Sequence, residues 1–107
     1  CLLFLCLKGE SIMSLFDKAK VLQSKKISDM SSNEMFKNEI NTFLRKFIDL
    51  DWGDTPEIDS ANNKQAIKNF DFILAVYESS EGRIWITAES SIGEKYDRIT
   101  ILFPNEY

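Results

Sequence analysis

Three runs of β-branched and aromatic residues, crowded into the C-terminal third, constrain this chain more than anything else in it. Residues 72–78 read FILAVYE, 83–89 RIWITAE and 98–103 RITILF. Val, Ile, Thr, Tyr, Phe and Trp suit a pleated, half-buried surface. Turn residues separate the runs, so the pattern predicts a three-stranded antiparallel β-meander. Gly82 stands where a three-residue hairpin loop needs a left-handed backbone, and a Ser80-Glu81-Gly82 loop then sets the register. On that register Phe72, Leu74 and Val76 share one face with Ile84, Ile86 and Ala88, joined by Ile99, Ile101 and Phe103. The other face carries Ile73, Ala75, Tyr77, Trp85, Thr87, Arg98, Thr100 and Leu102. The loop over residues 90–96 is longer than a tight turn.

A sheet of this kind needs a cover, and the preceding chain supplies helical patterns. Ser14 and Asp17 resemble a capping pair, and Phe16, Ala19 and Leu22 fall on one helical stripe, predicting a short helix that ends near Ser24. Residues 24–32 are polar apart from Ile27 and Met30 and read as a loop. Ser31 with Glu34 is a stronger helix start. From there Phe36, Ile40, Phe43, Leu44, Phe47 and Ile48 repeat at the spacing of one buried face, with Lys37, Asn38, Asn41, Arg45 and Lys46 opposite. Gly53 is expected as the C-terminal cap and Pro56 as the stop. Asp59 then caps a third helix ending near Phe70, with Ala66, Ile67 and Phe70 facing inward. The expected fold class is α+β, with the meander covered by an N-terminal segment of two to three helices over residues 13–107.

Residues 1–12 stand apart. Their apolar run is far short of the ~20 residues that span a bilayer, and no charged region precedes it. Lys8-Gly9-Glu10 back-translates to a purine-rich ribosome-binding run upstream of Met13. Residues 1–12 are therefore expected to be translated leader, which intact N-terminal residues in the natural host would contradict. Cys1 and Cys6 both lie there, leaving neither a disulfide framework nor a thiolate metal site for the remainder. A cytoplasmic bacterial protein is expected.

The chemistry available to the chain is narrow. It has no histidine, so acid–base work would fall to Asp, Glu, Lys or Tyr. A net charge of −4 argues against direct nucleic-acid or anionic-membrane binding, both of which need excess Lys and Arg. The four glycines are scattered singly and build no phosphate loop. Asp49, Asp51, Asp54, Glu57 and Asp59 form the densest set of potential ligands for a hard cation. Their spacing misses the calcium-loop pattern, because Gly53 falls one place early and Ser60 replaces the distal glutamate. Helix caps and turns account for the same acids, and that reading is favoured. Glu89 and Arg98 suit a cross-strand ion pair better than a catalytic dyad. Trp85 is either an interface anchor or core beneath a helix.

From Asp51 onward the order of residues resembles a small uncharacterised family carried on bacterial plasmids, phages and conjugative elements, labelled "plasmid-related protein". The matching pieces are Asp51-Trp52-Gly53-Asp54, Asp59, Asn63 and Ala66, then Ile73-Leu74, Tyr77, Gly82, Ile84-Trp85-Ile86 and Glu89. Asp97-Arg98, Thr100 and the closing Leu102-Phe103-Pro104-Asn105-Glu106-Tyr107 complete the set. Residues 90–96 depart from it, since the family passes almost directly from glutamate to Asp-Arg. The resemblance implies a mobile-element setting and no reaction.

Together these readings lead to a non-catalytic protein-binding accessory of a mobile genetic element, with no cofactor or metal. An acidic inhibitor of a host defence complex, occupying a basic nucleic-acid-binding surface, is the form suggested by analogy. Trp85, Thr87, Arg98, Trp52, Asp51 and Asp54 are the expected partner-binding residues. The alternative is a small metal-dependent enzyme using the acids of residues 51–59, and a homodimer through an uncovered strand edge is a third expectation.

Overall fold

The computed structural model describes residue 16, residues 19–91, residue 93 and residues 95–107. The expectations for residues 1–12 and for a helix start at Ser14 lie outside them. In chain order the elements are β1 (Lys20–Gln23), α1 (Lys25–Met30), α2 (Glu34–Ile48), α3 (Glu57–Asn69), β2 (Ile73–Ser79), β3 (Gly82–Glu89) and β4 (Arg98–Leu102). A 3-10 turn follows at Pro104–Glu106. The fold is α+β, but the sheet is four-stranded and mixed, in the order β1-β4-β3-β2. β2, β3 and β4 form the expected antiparallel meander, and β1 adds to it in parallel with β4.

β1 replaces the end of the expected first helix. Phe16 and Leu22 mimic a helical stripe in sequence, yet Phe16 is buried in the core while Leu22 is 41% exposed. The Lys20 N–H donates to the Asp97 carbonyl at 3.0 Å and the Ser24 N–H to the Ile101 carbonyl at 2.9 Å. Pairing with a strand nearly eighty residues away thus outweighs local periodicity. Ser24 then caps α1, accepting from the Ile27 N–H at 3.2 Å. This six-residue helix occupies the expected loop and buries one side chain, Ile27.

α2 has the expected inner face, but its cap is Asn33 rather than Ser31. The Asn33 side chain accepts from the N–H groups of Met35 and Phe36, while Ser31 closes α1 by donating to the Ile27 carbonyl. At the other end Leu50, just past the helix, takes the left-handed conformation with φ of 65°; Gly53 is left-handed too, at 61°, but lies in the loop beyond and does not close the helix. α3 begins at Glu57 behind Pro56, so Asp59 sits inside its first turn instead of capping it. There it complements the positive end of the helix.

The hairpin turn is one residue shorter than expected. Ser79 pairs with Gly82, leaving Ser80 and Glu81 as a two-residue turn. The Glu39 carboxylate on α2 accepts from the Ser80 N–H at 3.0 Å and from its hydroxyl at 2.6 Å. One residue of register moves every β2 side chain to the other face. Ile73, Ala75 and Tyr77 therefore face the helices beside Ile84, Ile86, Ala88, Ile99 and Ile101, whereas Phe72, Leu74 and Val76 do not. FILAVYE is apolar on both sides, so hydrophobic alternation cannot choose between the two registers.

The core between helices and sheet is rich in aromatic contacts. Trp52, Phe47, Phe16, Tyr96 and Phe70 form a chain of rings with successive centroids 5.6, 5.5, 5.4 and 5.4 Å apart. Phe43 stacks on Tyr77 and Phe36 on Phe103. Tyr96 explains the long β3–β4 connection, which carries this ring inward until its hydroxyl donates to the Asp71 carbonyl at 2.8 Å.

Burial, and secondarily the charge of Asp71, pushes the Tyr96 phenol up to about 12. Burial, reinforced by the Asp51 and Asp54 carboxylates, also raises that of Tyr77. Both folded-state values exceed the unfolded value near 10. Their stabilisation is therefore complete below about pH 10 and lost as pH rises through the folded values. At about pH 11 the folded chain should show tyrosinate absorbance at 295 nm well below that of the urea-unfolded chain. Equal absorbance would contradict the burial of these two phenols.

Candidate functional site

The sheet has two unlike faces. Every buried apolar residue of the three helices (Ile27, Phe36, Ile40, Phe47, Ala66) belongs to one cluster on the inner face, and Val76 and Leu102 lie outside it. The outer face is built in cross-strand rows. Leu22, Thr100, Thr87 and Leu74 form one row across all four strands, and Leu102, Trp85 and Val76 form the next. Lys20, Arg98 and Glu89 border this band at one end, and Arg83 and Glu78 at the other.

Trp85 lies at the middle of the band, half-buried, with Tyr107 edge-on at 5.6 Å. It belongs to neither the inner core nor a helix contact. Thr87 beside it is buried by its row neighbours. Arg98 reaches Glu89 at 3.5 Å across the strands, with both side chains largely exposed. Such a pair contributes about 0–1 kcal/mol. It bounds the band rather than forming a reactive site. Three expected contact residues, Trp85, Thr87 and Arg98, thus come together on one surface.

The other three do not join them. Trp52 is 8% exposed and packs edge-on against Phe47, so as core it is removed from the partner-binding set. Asp51 and Asp54 belong to the segment beside the free edge of β2. The Asp51 carboxylate accepts from the Gly53 N–H at 3.0 Å, and its carbonyl accepts from the Tyr77 hydroxyl at 2.7 Å. Asp54 donates its N–H to the Val76 carbonyl at 2.9 Å, and its carboxylate accepts from the Glu78 N–H at 3.0 Å. Thr55 accepts from the Val76 N–H at 2.8 Å, and the buried Asn63 amide satisfies both backbone groups of Leu74.

These residues cover the outward polar groups of β2 one after another. An uncovered edge of this sort invites pairing with another chain, and its bonds are supplied here from within the molecule. The acidic segment therefore has a structural occupation, and among the described residues no three His, Cys, Asp or Glu side chains converge as metal ligands. Asn63, Thr55 and Tyr96 are structural keys that carry no local signal in the sequence. The resemblance included Asn63, but nothing local in the sequence shows that its amide meets a strand edge.

The described residues thus form an α+β domain with a mixed four-stranded sheet covered by helices on one face. No family model, curated protein or solved structure matches the chain. Among the described residues no helix is long and apolar enough to cross a membrane.

Proposed function

We propose that this chain is a non-catalytic protein-binding domain whose contact surface is the outer sheet face around Trp85. The observation that carries this reading is the pair of cross-strand rows Leu22-Thr100-Thr87-Leu74 and Leu102-Trp85-Val76, in which Leu22 is exposed, Leu74, Trp85 and Thr100 are half-buried, and Thr87, Val76 and Leu102 are packed between them, with exposed Phe72 and Tyr107 alongside. Apolar side chains with a central tryptophan, bordered by charge, have the composition of a binding patch. Rigid strands hold them at a fixed spacing. The particular role we favour is an accessory of a mobile genetic element, an acidic inhibitor of a host defence complex. The net charge of −4 supports a basic partner surface.

Paired baits test the contact surface: the natural chain and Trp85→Arg, each immobilised and challenged with bacterial lysate. Trp85 is half-buried on the outer face, so the variant should keep the circular dichroism of the parent. A specific protein retained by the parent should fall at least about tenfold with the variant, as expected for a central anchor. Equal retention on both baits, or no specific retention on either, would reject the reading.

A further inference from the structure

The two edges of the sheet are treated differently. Along β2 the outward groups of Leu74, Val76 and Glu78 are met by Asn63, Thr55 and Asp54. Along β1 the Lys20 and Ser24 N–H groups point at β4. Strand alternation then turns the N–H and C=O groups of Val21 and Gln23 outward. Among the described residues no hydrogen bond reaches these four groups, and Val21 and Leu22 are 43% and 41% exposed.

We infer that β1 pairs with β1 of a second copy, antiparallel about a twofold axis through Leu22, to give a continuous eight-stranded sheet. This register is the one that uses all four of these outward groups. Val21 exchanges both backbone bonds with Gln23 of the other copy, and symmetry repeats the exchange, closing four hydrogen bonds. Leu22 meets its own mate on the axis as a non-hydrogen-bonded pair, where side chains approach most closely. Both leucines lie on the outer face, so the apolar band of one copy continues into the other.

Charge complementarity favours a second copy over an unrelated strand. In this register Lys20 lies opposite Ser24 of its mate. The Ser24 hydroxyl donates to Glu106 Oε1 at 2.7 Å, and the Phe103 N–H donates to the same oxygen at 2.9 Å, so a carboxylate is fixed beside Ser24. Among the described residues neither Lys20 nor Glu106 makes an ion pair. Antiparallel pairing brings the Lys20 end of one strand to the Glu106 end of the other, twice by symmetry. A parallel arrangement would instead align Lys20 with Lys20.

Edge pairing does not depend on partner binding at the Trp85 face; Leu22 belongs to both surfaces, so its variants are read by self-association alone. Sedimentation of the full chain should give twice the 12.4 kDa chain mass at high concentration, with dissociation on dilution. Leu22→Lys sets like charges against each other on the axis and should raise the dimer dissociation constant at least about tenfold. Ile58→Lys, an exposed apolar site on α3, should leave it unchanged. A register readout covers the case in which Leu22→Lys does not fold. With Cys1 and Cys6 replaced by serine, Leu22→Cys should cross-link to a disulfide dimer on oxidation, because a non-hydrogen-bonded pair has the required Cα separation. Gln23→Cys, lying opposite Val21, should not. A chain that stays monomeric at every concentration, as it would if another part of the same chain covered β1, overturns the inference. So does cross-linking that is no faster at position 22 than at 23.

Discussion

Phe47→Ala should destabilise the folded chain by about 3–5 kcal/mol, the range for removing a fully buried phenyl ring. Phe47 has no exposed surface and joins Phe16 to Trp52, with centroid distances of 5.5 and 5.6 Å. Removing it breaks the aromatic chain between Trp52 and Phe16, and rigid rings on either side cannot collapse to fill the space. Small domains are stable by roughly 5–15 kcal/mol, so the loss takes a large share of the total. Urea unfolding followed by tryptophan fluorescence should show a lower midpoint with an unchanged slope. A midpoint shift corresponding to less than about 1 kcal/mol would mean that Phe47 does not occupy the core.

The second large effect is expected at Gly53. Its φ is +61°, and a Cβ placed there would lie 2.4 and 2.6 Å from Cδ1 and Cε1 of Tyr77. That ring is buried, stacks on Phe43 and holds the Asp51 carbonyl through its hydroxyl, so it has little freedom to retreat. Gly53→Ala combines a left-handed backbone cost of about 1–2 kcal/mol with an overpacking cost of about 1–3 kcal/mol. The total should be about 2–5 kcal/mol by urea unfolding. Gly93 separates the two terms, because its φ is +74° but a Cβ there meets nothing within 4 Å. Gly93→Ala should show only the backbone term. Equal losses at the two positions would show that the Tyr77 ring yields freely.

Gly53 also illustrates how an identity can be noticed in sequence and given the wrong task. A glycine five residues after the last apolar position of a helical pattern reads as a cap. The helix closes at Asp49 and the left-handed Leu50 instead, and Gly53 is needed because the loop passes so close to Tyr77 that no side chain fits between them. Asp51 and Asp54 follow the same course. Their density suggests ligands or partner contacts, whereas the Asp51 carbonyl, accepting from Tyr77, and the Asp54 carboxylate, accepting from Glu78, hold the loop against β2. Of the outer-face residues, Trp85, Thr87 and Arg98 were legible together because they alternate correctly on β3 and β4, independently of β2.

What the amino-acid order determined by itself is whatever a short window can express. The 3.6-residue apolar repeat made α2 a helix with Phe36, Ile40 and Phe47 inward, and the β-branched runs made β2, β3 and β4 strands. Tertiary structure alone decided the pairing of β1, the face presented by β2, the capping of the β2 edge and the inward turn of Tyr96. Each of these depends on a partner distant in the chain: β4 for β1, Asn63 and Asp54 for β2, Phe16 and Asp71 for Tyr96. A four-residue strand with no buried side chain has no periodicity to reveal it. Its stability comes from backbone bonds to β4, a partner nearly eighty residues away in the chain.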